Sequence, residues 1–157
     1  MVPEPEPVGP EVLRGDGAAY RRSMPATSPP LRLAPGCSAI IEMTVSVSDT
    51  AIELRTGDVP VLATPAIVRL AEEASVAATV DRLPVGTTTV GHRVQLDHLA
   101  PTPVGATVHA EALLESVEGR RLTFRISVSD SNGLVAAGRI TRVMVERERF
   151  LEKATGS

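Results

Sequence analysis

The sequence predicts an α+β domain, and three observations carry the prediction. Only one stretch, from Thr64 to Asp81, repeats its apolar residues at helical spacing. Four later stretches alternate apolar and polar residues in the manner of half-buried strands. Between the last two of these lies Ser131-Asn132-Gly133, a strong hairpin signal. A single helix must therefore cover the sheet that all the strands build.

The elements follow in order. Eight of the thirteen prolines fall within residues 1–36, a segment that cannot propagate a helix or a sheet ladder. It is expected to be disordered or loosely draped, with the part near Tyr20 folding over a neighbouring surface as the alternative. The domain proper is residues 37–157. Ile41, Met43, Val45 and Val47 alternate with Glu42, Thr44 and Ser46 as a strand, and Val59 to Ala63 reads as a short apolar strand. Thr64-Pro65 gives a helix start, with a hydroxyl N-cap followed by proline at the first helical position. Ile67, Val68, Leu70, Ala71, Ala74, Ser75 and Ala78 form the apolar face, and Pro84 and Gly86 stop the helix near Asp81-Arg82. Its length of about 25 Å suits it to lie across a curved sheet.

Everything after it is read as strand. Val90, His92, Val94, Leu96 and His98 share one parity and point inward; Gly91, Arg93, Gln95 and Asp97 share the other. Ala106–Val117, Arg120–Ser129 and Leu134–Glu148 complete the set, with Leu122, Phe124, Ile126 and Val128 as a clean inward face. One long helix wrapped by a curved antiparallel sheet is the hotdog arrangement.

Composition excludes several functions. Aromatic residues are 2% of the chain, too few for base-stacking platforms, and a net charge of −3 without a large Lys/Arg cluster argues against nucleic acid. The lone Cys37 cannot form an intrachain disulfide or a four-ligand zinc site, so a reducing cytoplasm is expected and a catalytic role for this thiol is not. The N-terminus lacks the basic and apolar regions of a signal peptide, and no apolar run approaches the ~20 residues of a membrane span. Neither a metal site nor a cofactor is expected, because the side chains of Asp97 and His98 point to opposite faces of their strand.

The chemistry-bearing residues cluster between Val61 and Gly105. Thr64 is either a plain helix cap or a hydroxyl held beside free backbone N–H groups, where a developing oxyanion is stabilised. Glu72 lies about 80° round the helix from Thr64, near the apolar stripe, whereas Glu73 lies about 180° away and faces water. A carboxylate pressed on an apolar face gains proton affinity and suits a general base; at the edge of the stripe it is simply solvated. His109 shares the polar side of its strand with Glu111 and Glu115. His92 and His98 face inward, and His98 stands at the strand's end, where a cleft opens. Arg120-Arg121 is a solvated hairpin tip or meets the phosphates of a nucleotide-tailed substrate.

These residues resemble a known family. Ala63-Thr64, Glu72 eight residues on, and His98-x-x-x-Thr102-Pro103-x-Gly105 are similar to the fluoroacetyl-CoA thioesterase group of hotdog thioesterases. The likeness continues through Val104–Val108, Ser116–Leu122 and Glu146–Lys153, and covers about residues 58–153. The resemblance implies a catalytic set of Thr64, Glu72 and His98 and an oxyanion donor at the backbone N–H of Gly91. It also implies an acyl-CoA substrate, and a homodimer or a dimer of such dimers with sites at the subunit interface. The loop from Asp49 to Asp58 departs from the family, so the resemblance carries over hydrolysis of a small or medium acyl-CoA thioester and does not carry over fluoroacetyl specificity. The rivals are a non-catalytic acyl-CoA-binding module and a hotdog enoyl-thioester hydratase. The latter usually carries an Asp before the helix, which is missing here.

Overall fold

The computed structural model describes residues 12–14 and 32–157. The Pro-rich segment, with the reading made for Tyr20, otherwise lies outside the described residues. Val12–Arg14 forms β1, parallel to β2 (Ser38–Thr44). Next come α1 (Thr64–Ala77), β3 (Thr87–His98), β4 (Thr107–Glu118), β5 (Arg121–Asp130), β6 (Gly133–Glu146) and α2 (Arg147–Thr155). The sheet order is β1-β2-β4-β5-β6-β3, antiparallel from β2 onward. The chain thus leaves β2 at one side, crosses the sheet as α1, and returns as β3 at the far edge.

Small residues seat the helix. Ala66, Ala71 and Ala74 are buried together with Ile67 and Leu70, so the α1 backbone can approach β2 and β4 closely. Facing them are Val108, Ala110, Ala112 and Leu114 of β4 and Leu122, Phe124, Ile126 and Val128 of β5, all buried. The alternation read in β5 is therefore the observed core face. Such close packing leaves little slack. Ile126→Val is expected to cost about 0.5–1.5 kcal/mol in denaturant unfolding, and a change under 0.3 kcal/mol would mean the site collapses around the lost methyl.

Several expectations are corrected. The inward strand at residues 41–47 ends early: Val45 is buried, but Val47 is exposed in the 3₁₀ turn Val47–Asp49. Val59–Ala63 is not a strand; it is held by two isolated bridges, Thr50 with Leu62 and Val61 with Pro103. Helix α1 ends at Ala77, and a 3₁₀ turn, Val80–Arg82, follows. The last strand stops at Glu146, where the unforeseen helix α2 begins.

The largest correction concerns β3. Its register with β6 slips between Gly91 and Arg93, which leaves His92 as a bulged residue. Before the bulge Thr89 and Gly91 lie opposite Met144 and Arg142; after it Val94 and His98 lie opposite Ile140 and Ala136. Val90 and His92 therefore do not share the inward face. His92 is exposed, and Gly91 points toward α1.

Candidate functional site

The segment that enters α1 is pinned from both sides. Ala63 N–H donates to Asp49 O and Leu62 N–H to Thr102 O, each at 2.9 Å. Thr102 is fully buried, and its hydroxyl donates to Asp130 Oδ2 at 3.2 Å. At the end of β3, Leu99 N–H donates to Val135 O at 2.7 Å. The Pro-rich turn after β3 thus ties the mouth of α1 to the end of β3. Thr64 and His98, 34 residues apart, meet there: Thr64 Oγ1 and His98 Nδ1 are hydrogen-bonded at 2.8 Å.

This corrects the reading of Thr64 as a cap. Ala63 occupies the N-cap, Thr64 is the first helical residue, and α1 has no side-chain cap bond. The hydroxyl is spent on the imidazole. On the other side of the ring, Nε2 is shielded from water and has no hydrogen-bond partner among the described residues. With Nδ1 accepting from Thr64, Nε2 carries the proton and is a donor; with Nδ1 donating, Nε2 is an acceptor.

Two turns along α1, Glu72 lies against Gly91 of β3. A Cβ on Gly91 would collide with Glu72 Oε1, so glycine is what lets the carboxylate reach the strand. Arg142 of β6 supplies the charge opposite it, with Nη1 at 3.8 Å from Oε1. The surroundings thus differ from the apolar ones expected: a guanidinium faces the Glu72 carboxylate, and its side chain is 37% exposed. Glu73 is no more exposed, at 35%, but turns to Arg69 at 3.5 Å. Partner, not exposure, separates the two glutamates.

Arg142 was not foreseen. It is only 6% exposed, and burial lowers its proton affinity while Glu72 partly restores it. Nε donates to Thr89 Oγ1 at 2.9 Å and Nη2 to Thr89 O at 3.0 Å. The signal was present: Arg142 shares the inward parity of Ala136 and Ile140, where an unpaired charge is costly.

The remaining candidates stand apart. His109 pairs with Glu42 at 3.0 Å. Cys37 is buried and unpaired. Arg121 lies opposite Val143, on the face of the sheet turned away from α1. Arg120 lines a groove of about 580 Å³ with Arg149, Phe150 and Lys153 of α2 and Thr87 and Met144 of the sheet. Neither arginine joins the Thr64–His98 pair or Glu72. Among the described residues no cluster of three or more His, Cys, Asp or Glu could hold a metal, and no helix is long and apolar enough to cross a membrane.

The chain is similar in sequence and fold to known proteins. Residues 45–148 match the family model described as fluoroacetyl-CoA-specific thioesterase. The curated fluoroacetyl-CoA thioesterase of Streptantibioticus cattleyicolor is 39% identical over 93 residues, which cover 59% of this chain and 67% of that protein. A solved structure of the fluoroacetyl-CoA thioesterase FlK superposes with a TM-score of 0.75 at 30% identity, over 80% of this chain and 97% of that one. A hot-dog-like protein from Thermanaerovibrio acidaminovorans gives 0.73 at 28% identity, over 78% of this chain and 90% of its own. The hotdog fold expected from the sequence is therefore the fold observed.

Proposed function

Because the chain belongs to the fluoroacetyl-CoA-specific thioesterase family and is an acyl-CoA thioester hydrolase, we propose that Thr64, Glu72, His98 and Gly91 cleave a small or medium acyl-CoA. The observation that carries this reading is the Thr64–His98 hydrogen bond at the mouth of α1, with Glu72 on the same helix. Glu72 acts as general base toward water or as nucleophile toward the thioester carbonyl. As the carbon–sulfur bond breaks, His98 shuttles the proton given up by water to the departing CoA thiolate. Where Glu72 is the nucleophile, water then hydrolyses the acyl–glutamyl anhydride and returns a proton to His98, so both routes leave free acid and CoA. Thr64 orients the imidazole or the carbonyl, and the backbone N–H of Gly91 stabilises the oxyanion.

One protomer separates these groups. Thr64 and Glu72 are eight residues apart on α1, about 12 Å along its axis. The reading therefore includes a homodimer. β3 is an edge strand, and its stretch Gly91–Gln95 is exposed. Antiparallel pairing with β3 of a second copy, centred on Gln95 and with the bulged His92 left out of the ladder, would set His98 across from the partner's Gly91. Each site would then join Thr64 and His98 of one protomer to Glu72 and Gly91 of its partner. A dimer of dimers is compatible with this pairing. Arg120, in the groove beside α2, would meet CoA phosphates together with Arg149 and Lys153, and Arg121 would serve the same charge from the outer face. A cytoplasmic setting agrees with the unpaired thiol of Cys37.

Thiol release from a panel of acyl-CoAs, fluoroacetyl-CoA included, tests the reading. His98→Ala should lower kcat about 10²-fold on the best substrate. Tight binding without thiol release would mark a binding module, and loss of enoyl absorbance without thiol release would mark a hydratase. Activity in His98→Ala within threefold of wild type would remove His98 from the mechanism.

A further inference from the structure

The geometry points to Arg142 as the positioning residue for Glu72: a buried guanidinium, itself fixed by Thr89, aims the carboxylate at the reaction centre. This inference rests on Glu72 being the catalytic carboxylate.

As a stabilising device the arrangement is poor. The guanidinium sits on the inward face of the sheet, opposite Leu122 of β5 and two residues from Ile140. Its separation from Glu72 is 3.8 Å, and the carboxylate is partly solvated. An apolar side chain of similar volume holds such a position at least as well, because two charges are costly to strip of water and a long contact repays little.

As an aiming device it is well made. Thr89 accepts from Nε through its hydroxyl and from Nη2 through its carbonyl. Two bonds from one residue fix the plane of the guanidinium, as a single bond to a flexible ammonium cannot. Nη1 is the nitrogen left over, and Glu72 Oε1 is the oxygen it faces. Thr89 lies two residues before Gly91 on the same inward face of β3. Anchor, guanidinium, carboxylate and oxyanion-donor strand thus form one closed circuit, in which β6 registers the side chain of α1 against the backbone of β3.

The test compares Arg142→Gln, Arg142→Lys and the surface control Arg139→Gln by steady-state kinetics, per mole of folded protein measured by thermal melting. Arg139 is exposed and pairs with Glu115, so its substitution should change nothing. Arg142→Gln should lower kcat about tenfold with KM within twofold, since aim matters in the transition state more than in substrate binding. Arg142→Lys keeps the charge without the fork and should fall between. Millimolar guanidinium should restore part of the activity of Arg142→Ala, which a purely structural role would not allow. Wild-type kcat in folded Arg142→Gln overturns the inference. If that variant does not fold, wild-type kcat in Arg142→Lys overturns it, and a several-fold loss at constant KM upholds it. Full activity in Glu72→Gln would instead sink the underlying assignment, whatever Arg142 does.

Discussion

Glu72→Gln is expected to lower kcat for thioester hydrolysis about 10³-fold while the protein stays folded. Glutamine keeps the volume of the side chain and removes only its charge and basicity. A 10³-fold loss corresponds to about 4 kcal/mol in the barrier. The competing effect is on stability, since Arg142 would lose its counter-charge. Removing one partner of a fully buried pair costs about 3–5 kcal/mol. Here the contact is 3.8 Å and the carboxylate is 37% exposed, so solvent screening reduces the cost to about 1 kcal/mol. Chemistry and folding are therefore separable: the melting temperature should fall by a few degrees and activity should nearly vanish. Glu72→Gln retaining more than a tenth of wild-type kcat would show that another group activates the nucleophile.

Two glycines give the second large effect, and they fail in opposite ways. A Cβ at Gly91 meets the end of a flexible side chain, Glu72 Oε1. Gly91→Ala should fold normally, because Glu72 can swing aside. Its kcat should fall about 10²-fold, because the carboxylate then leaves its place beside the strand. A Cβ at Gly138 meets the backbone, Gln95 O and the Leu96 Cα. Nothing there can swing. Gly138→Ala should destabilise the β3–β6 pairing by about 1–3 kcal/mol, as overpacking does, and activity should fall only as the folded fraction falls. Denaturant unfolding and kcat measured on both variants separate the two. If Gly91→Ala lost stability and kept kcat per folded molecule, the close approach of Glu72 to the strand would have no catalytic meaning.

What was legible in the sequence was whatever local pattern encodes. Leu122 to Val128 alternates because one face of β5 is core, and the burial follows residue by residue. The apolar stripe of α1 was equally plain. Local pattern misled where a distant partner decided the outcome. Thr64-Pro65 has the form of a cap, yet the hydroxyl is claimed by His98 from another element. Glu72 was placed by angle beside apolar neighbours, and an arginine from β6 faces it instead. Arg147–Thr155 has no buried residue, so it carried no apolar period to reveal a helix. The carboxylate, imidazole, hydroxyl and glycine were all singled out in advance. The role of the guanidinium is not legible because the partner that gives Arg142 that role, Glu72, lies on another element far away in the sequence.

The bulge at His92 has a consequence for how this strand can vary. Gly91 and His98 are separated by an odd number of positions, and in an unbroken ladder they would look out of opposite sides of the sheet. One supernumerary residue cancels the mismatch, so a glycine and a histidine of unlike parity serve the same side. The count of residues between them therefore matters more than their identity. Shortening the interval by one position would turn either the imidazole or the glycine outward, even if every other side chain were kept.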